Sequence, residues 1–207
     1  MEVVQMSKDY SALVHGFMQS EIDALQEIDS SVTDNNYNDV IDTLLNIDGK
    51  LIFMGVGKSG LIGRKLAATF SSTGTPSFFV HATESVHGDL GMIQKNDTVV
   101  LISNSGETKE ILAPIPSLKR IGTKLIAFTG KDTSSLAKQC DLTLVIPIDH
   151  EADKLNLAPT NSSTGVLVVG DSIACTVSEL KGFTKENFAT FHPGGALGKK
   201  LLKSQSV

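Results

Sequence analysis

Apolar positions along the chain recur in two distinct rhythms. Between about residues 7 and 28, Val14, Phe17, Met18, Ile22, Leu25 and Ile28 follow one another at three- and four-residue steps among Glu and Asp, which predicts an amphipathic helix. It precedes the first strand, so it suits either its own domain or the surface of a second subunit. A second helix is expected over 36–47, with Asp34 or Asn35 as its cap. Short, nearly continuous apolar runs then follow at 51–54, 77–80, 98–102, 124–128 and 142–146. Their β-favouring residues and their Gly, Pro and Asp boundaries mark them as buried strands. Helical segments are expected between them: one through Leu66, Ala67, Ala68 and Phe70, one through Ile111, Leu112 and Leu118, and a short one over 134–139. The stretch around Glu84 reads as loop, and 147–161 as a long loop of the kind that often carries function. A buried helix over 162–180 and a short helix over 184–189 complete the pattern, and residues 203–207 are expected to fray. Strands of this kind alternating with helices predict an α/β fold: a parallel sheet covered by helices on both faces, with ligands bound outside the carboxyl ends of the strands.

The stretch 50–65 organises the rest. It reads as a strand, a turn with Gly55, Gly57, Gly60 and Gly63, and a helix start, whose unpaired N–H groups favour an anion. Three readings compete. Gly55-x-Gly57-x-x-Gly60 fits a dinucleotide fingerprint, but that site also needs an acidic residue about 20 residues on, at the end of the next strand. The next strand runs into His81, and Glu84 comes later. Gly57-Lys58-Ser59 suggests a P-loop, which requires a glycine where Ile52 stands. The third reading is a cradle for a small phosphorylated ligand, with Lys58 and Ser59 facing it.

The remaining turns favour the third. Ser103-Asn104-Ser105-Gly106-Glu107-Thr108 follows a buried strand and opens a helix. Its hydroxyls and the helix N–H groups suit phosphate oxygens, although a single hydroxyl would suffice as a helix cap. Thr160-Asn161-Ser162-Ser163-Thr164 is a second hydroxyl cluster before a helix.

Composition narrows the classes. The 207 residues suit one domain, and 41% hydrophobic with 20% charged residues is ordinary for a soluble globular protein. A net charge of −5 without a Lys/Arg block argues against a nucleic-acid surface. No uninterrupted apolar run reaches the roughly 18 residues of a membrane span, and the first ten residues, Met1 to Tyr10, do not form a secretory signal. Cys140 and Cys175 lie far apart without metal-type spacing and read as buried thiols of a reducing, cytoplasmic compartment.

The glycine turn followed two strands later by the serine turn resembles the sugar isomerase (SIS) domain. The resemblance implies a three-layer αβα sandwich with a five-stranded parallel sheet that binds phosphosugars. Gly74-Thr75-Pro76-Ser77-Phe78-Phe79-Val80-His81, His87-Gly88-Asp89-Leu90-Gly91, Leu157-Ala158-Pro159-Thr160, Gly170-Asp171 and His192-Pro193-Gly194-Gly195-Ala196-Leu197-Gly198 narrow it to the arabinose-5-phosphate isomerases, over about residues 7–203. The implied reaction interconverts D-ribulose 5-phosphate and D-arabinose 5-phosphate without a cofactor. It supplies the eight-carbon sugar Kdo for lipopolysaccharide or capsule. By the same resemblance Lys58, Glu110, Glu151 and His192 are the catalytic positions. Ser59, Gly74, Thr75, His87, Ser103, Asn104, Ser105, Thr108, Ser162 and Ser163 are substrate contacts, and His81 is a position where zinc binds as an inhibitor. A homotetramer with sites at subunit interfaces is expected, with nucleotide-activated Kdo as a possible feedback ligand and neither nucleic acid nor membrane as partner.

Leu61 stands where many members have histidine, Ala82-Thr83 replace a common Pro-Gly, and Asn161 replaces a serine. The expected layout is a single SIS domain over 1–207, with an N-terminal helix at about 7–31, a core at about 36–190 and the C-terminal segment 192–198. The chain stops where the paired CBS domains of many relatives begin. A hexulose-6-phosphate isomerase and a non-catalytic phosphosugar sensor are the rival readings. In mechanism, an aldose–ketose isomerase passes through a cis-enediol, so a base must reach a weakly acidic C–H and the enediolate charge must be stabilised. Glu151 is the candidate base, His192 or His87 the group for ring opening or oxygen proton transfer, Lys58 the neutralising charge, and Glu110 the group that orients Lys58 or a histidine.

Overall fold

The computed structural model describes residues 9–32 and 34–194. Five strands form one parallel sheet in the order β2-β1-β3-β4-β5: β1 (Leu51–Gly55), β2 (Ser77–His81), β3 (Thr98–Ile102), β4 (Lys124–Thr129) and β5 (Leu142–Val145). The expected α/β class, sheet size and strand direction are all present.

Side chains alternate across the sheet as a pleated strand requires. Leu51, Phe53, Val100, Ile102, Ile126 and Phe128 enter one core, while Ile52, Met54, Val99, Leu101, Leu125 and Ala127 enter the other. The first core is covered by α1 (Ser11–Ser30), α2 (Asp34–Leu45), α3 (Gly57–Ser72) and α7 (Asn161–Leu180). The second is covered by α4 (Ala82–Ser85), α5 (Lys109–Leu112) and α6 (Ile115–Ile121). The last helix among the described residues, α8 (Lys185–Phe191), is opened by a capping box between Thr184 and Asn187.

α7 is long and apolar enough to cross a bilayer by length and composition, although no uninterrupted run predicted one. Here Val166, Val169, Ile173, Ala174 and Val177 line the core instead. A Cβ on Gly170 would lie 2.5 Å from both Leu66 methyls, so α3 and α7 meet in closer contact than any side chain would permit.

Several elements depart from the sequence expectation. α2 begins at Asp34, so Asp34 and Asn35 lie within it rather than before it. The single helix expected through Ile111 and Leu118 is two, α5 and α6, because Pro114 and Pro116 supply no N–H to continue the ladder. The helix expected over 134–139 is a 3-10 turn, Ala137–Gln139. The supposed loop after β2 contains α4 and a 3-10 turn, Asp89–Met92. Cys175 is exposed rather than buried, and both cysteines are free thiols. Burial, helped by the Asp141 carboxylate, pushes the Cys140 thiol up to about 12.

Of α1's residues Ile28 is buried, while Leu13, Val14, Phe17, Met18 and Ile22 are exposed. This face and Thr164 of α7 border an apolar groove of about 450 Å³. α1 begins at Ser11, after the non-helical Asp9 and Tyr10, later than the start expected at about residue 7. Residues 7 and 8, the fraying expected at 203–207 and 195–198 of the C-terminal motif lie outside the described residues.

Candidate active site

Strand order reverses between β1 and β3. From β1 the chain enters α3 on one face, and from β3 it enters α5 on the other, so a crevice opens outside the two carboxyl ends. The glycine turn forms one wall. A Cβ on Gly55 would sit 2.8 Å from the Gly60 nitrogen, so this glycine lets α3 close onto the strand end. Val56 at the head of α3 provides no side-chain cap, and the first helical N–H groups are left to the crevice. Lys58 and Ser59 line a cavity of about 20 Å³ there with Asn104, Pro159, Ser162 and Ser163, over Ile62, Ile102 and Val166.

The serine turn forms the second wall, and its hydroxyls divide the work. Ser103 is buried. Its Oγ accepts from the Gly106 N–H at 3.1 Å and lies 2.9 Å from Thr108 Oγ1, so these two hydroxyls fold the turn itself. Asn104 and Ser105 are exposed, as is Glu107. Ser105 Oγ accepts from the Glu107 N–H at 3.2 Å and keeps its own proton to donate. Gly106 takes a left-handed φ of +66°, where a Cβ would strike Ser134. The Glu107 carboxylate braces the turn by accepting the Ser135 N–H at 2.7 Å, and this bond holds its pKa below the usual carboxylate range.

Glu151 sits on the loop after β5, at the amino end of α7. Its Oε2 accepts from the Thr160 N–H at 2.8 Å, the Ser162 N–H at 3.1 Å and Thr160 Oγ1 at 3.2 Å, while Oε1 accepts from Ser162 Oγ. Burial pushes the carboxyl pKa up, but the Ser162 and Thr160 bonds together outweigh it and hold it below the ordinary value. Glu151 also borders a larger cavity of about 460 Å³ with Asn104, Ser105, Lys131, His150 and Asn156. The crevice thus brings Lys58, Ser59, Asn104, Ser105, Glu151, Ser162 and Ser163 together.

Other predicted residues lie apart. His81 ends β2 beside Gly55, its Nδ1 accepting from the Thr83 N–H at 3.3 Å, and His87 is exposed after α4. Among the described residues no three His, Cys, Asp or Glu side chains converge on a metal position, at His81 or elsewhere. Glu110 is exposed in the first turn of α5 and makes no hydrogen bond or ion pair to Lys58. Gly74 and Thr75 precede β2, at the amino end of the sheet. Gly74 has φ +97° under the Phe183 ring, and buried Thr75 Oγ1 accepts from Lys181 Nζ at 3.2 Å. Burial lowers the Lys181 pKa. His192 belongs with them: Phe191 stacks on Phe183 at 5.9 Å between centroids. The His192 ring stacks on Phe188 at 3.8 Å, and its Nδ1–H donates to the Phe188 carbonyl at 2.9 Å. A five-residue strand is about 13 Å long, so the two groups lie at opposite ends of the sheet.

Sequence reasoning missed three organisers of the Glu151 loop. Asn156 accepts the Glu151 N–H at 2.6 Å through Oδ1, from a left-handed φ of 54°. Asp153 accepts the Leu155, Leu157 and Ala158 N–H groups within 3.0 Å, bonds that hold its pKa low. Asn161 Nδ2 donates to the His150 carbonyl at 2.9 Å and to Ser20 Oγ at 3.0 Å, joining loop, α7 and α1. Asn and Asp in a long loop carried the only signal, and it is generic.

Residues 44–175 match the SIS domain family. The chain belongs to the SIS domain family. Among solved SIS relatives, c3406 of Escherichia coli CFT073, in complex with arabinose 5-phosphate, is 55% identical with a TM-score of 0.86, covering 90% of this chain and 100% of its own. The arabinose 5-phosphate isomerase KdsD of Shigella flexneri is 51% identical over 182 residues, 88% of this chain and 55% of its own length. KdsD of Salmonella typhi is 47% identical over 199 residues, 96% of this chain and 60% of its own length. The chain therefore spans between half and two thirds of the curated relatives it matches.

Proposed function

We propose that the chain is an aldose–ketose isomerase that interconverts D-ribulose 5-phosphate and D-arabinose 5-phosphate. The observation that carries this reading is the coincidence of the switch-point crevice, with Lys58, Ser59, Asn104, Ser105 and Glu151 around it, and 55% identity to a protein bound to arabinose 5-phosphate over all of that protein's length.

Asn104, Ser105 and the start of α5 take the phosphate, with Ser103 and Thr108 shaping their turn. Lys58, Ser59 and the uncapped start of α3 meet the negative charge that develops on the sugar oxygens. Glu151 removes a proton from C1 of the open-chain ketose. The resulting enediolate is reprotonated at C2 on the way to the aldose, while a proton passes between the two oxygens. His87 or His192 serves ring opening and that oxygen transfer, and Glu110 shapes the charge around them. No cofactor takes part.

Gly74, Thr75 and His192 reach a sugar only from a second copy of the chain. We therefore propose sites between subunits of a homotetramer, assembled partly through the exposed face of α1. The product feeds Kdo synthesis for lipopolysaccharide or capsule, with nucleotide-activated Kdo as a feedback ligand. The compartment is the cytoplasm: a sugar phosphate is too charged to cross a bilayer, and both cysteines are free thiols.

The test offers D-ribulose 5-phosphate and a hexulose 6-phosphate separately to purified protein, with chelator present, and identifies products by proton NMR. Arabinose 5-phosphate from the pentose alone is expected. Turnover of the hexulose alone contradicts the assignment, as does binding of either sugar without conversion.

A further inference from the structure

We infer that Thr160 and Ser162 are positioning residues for Glu151, holding its carboxylate at the amino end of α7, rather than contacts for the sugar. This rests on Glu151 being the base of the proposed isomerisation.

A carboxylate has about four lone-pair sites for donors. Three donors, the Thr160 and Ser162 N–H groups and Thr160 Oγ1, converge on Oε2, whereas Ser162 Oγ alone is bonded to Oε1. Oε1 is thus the oxygen with a lone pair left for a substrate proton. The Thr160 proton is committed to Oε2, and its oxygen also accepts the Ala152 N–H at 2.8 Å, so this hydroxyl has no proton to give a sugar. The Ser162 proton is committed to Glu151, so this hydroxyl has none to give a sugar.

Both ends of the loop reinforce the hold. Asn156 Oδ1 fixes the Glu151 N–H, and Asn161 fixes the His150 carbonyl immediately before it. The charged and titratable groups around the carboxylate are Asp149, His150 and Asp153 on its own loop and Lys131 across the larger cavity. Lys58 shares the smaller cavity with Ser162, and Glu21 of α1 accepts from Thr164 Oγ1 at 2.7 Å behind the helix start. Among the described residues none of these makes a hydrogen bond or ion pair to the Glu151 carboxylate, so its ionised form depends on the α7 donors. The low Glu151 pKa, with hydrogen bonds overcoming burial, agrees with that dependence.

A residue that acts through the base differs measurably from one that binds sugar. With Ser162→Ala, kcat and kcat/KM fall together by about 10- to 100-fold, and the acidic limb of the kcat profile moves to higher pH. Ser162→Thr retains a donor and restores both.

The deciding experiment titrates the Glu151 side-chain carboxyl by carbon-13 NMR in wild type and Ser162→Ala, the resonance being assigned with Glu151→Gln. It needs no turnover, so an inactive wild type counts against the isomerase reading while this titration still decides the inference. An upward displacement of the Glu151 titration in Ser162→Ala is the expected result. An unmoved titration, or a raised KM with an unmoved acidic limb, overturns it and makes Ser162 a sugar contact. Should Ser162→Ala fail to fold, Thr160→Val removes one hydroxyl donor while keeping its N–H, and is read by the same titration and the same criteria.

Discussion

Lys181 Nζ donates to Thr75 Oγ1 at 3.2 Å, joining the carboxyl end of α7 to the amino end of β2. The opposite end of α7 meets Glu151. A helix of 20 residues is about 30 Å long, so this one bond shows that Thr75 and Glu151 of the same subunit cannot touch one pentose phosphate. His192 follows Phe191, whose ring stacks on the Phe183 ring over Gly74, and so shares the Thr75 end.

Subunit complementation follows from that separation. Lys58→Met and His192→Ala variants, each inactive alone, are expected to regain part of the wild-type activity when unfolded together and refolded as a mixture, because some interfaces then carry both intact residues. Mixed protein as inactive as either parent would place the whole site within one subunit.

Gly106 holds the serine turn in a shape other residues resist. An alanine Cβ there would lie 2.3 Å from Ser134 Oγ, at a φ of +66°. A side chain in that region costs about 1–3 kcal/mol before the clash is counted. Gly106→Ala is expected to lower the midpoint of thermal unfolding by at least about 4 °C and to raise the KM for sugar phosphate. An unchanged melting curve with unchanged KM would show that the turn tolerates the change.

The lowered carboxyl pKa of Glu151 predicts a pH dependence of stability. A native pKa below the unfolded value gives stability that is present above about pH 4.3, the ordinary glutamate value, and is lost as pH falls through the native value. Glu151→Gln should lose less melting temperature than wild type between about pH 5 and pH 3. Parallel curves would show that the carboxylate bonds add nothing to the folded state. Asp153 and Glu107 act in the same direction in both proteins, so the difference between the curves isolates Glu151.

What was legible in the sequence was whatever repeats locally. The strands stood out because both faces of a parallel sheet are buried, which makes each one a continuous apolar run such as Val99-Val100-Leu101-Ile102. The crevice followed, because glycine and serine turns at strand ends mark the helix starts that open onto it. The α5–α6 break was signalled by Pro114 and Pro116 but hidden by the apolar spacing of Ile111, Leu112 and Leu118. α4 is a single turn, Ala-Thr-Glu-Ser, too short to show a period. The engagement of Glu151 with Thr160 and Ser162 spans a loop without periodicity, so nothing local marked that carboxylate as a helix-end partner. Nor did the sequence show that Gly55 serves strand–helix contact as well as ligand approach.

The most direct test of the central claim is the conversion of D-ribulose 5-phosphate in deuterium oxide, with the product followed by NMR. Proton removal at C1 and reprotonation of an enediol by a solvent-exchanging Glu151 predict arabinose 5-phosphate deuterated at C2, with turnover lost in Glu151→Gln by about 100-fold or more. Product carrying the original hydrogen at C2, formed at the same rate by the Gln variant, would contradict the account.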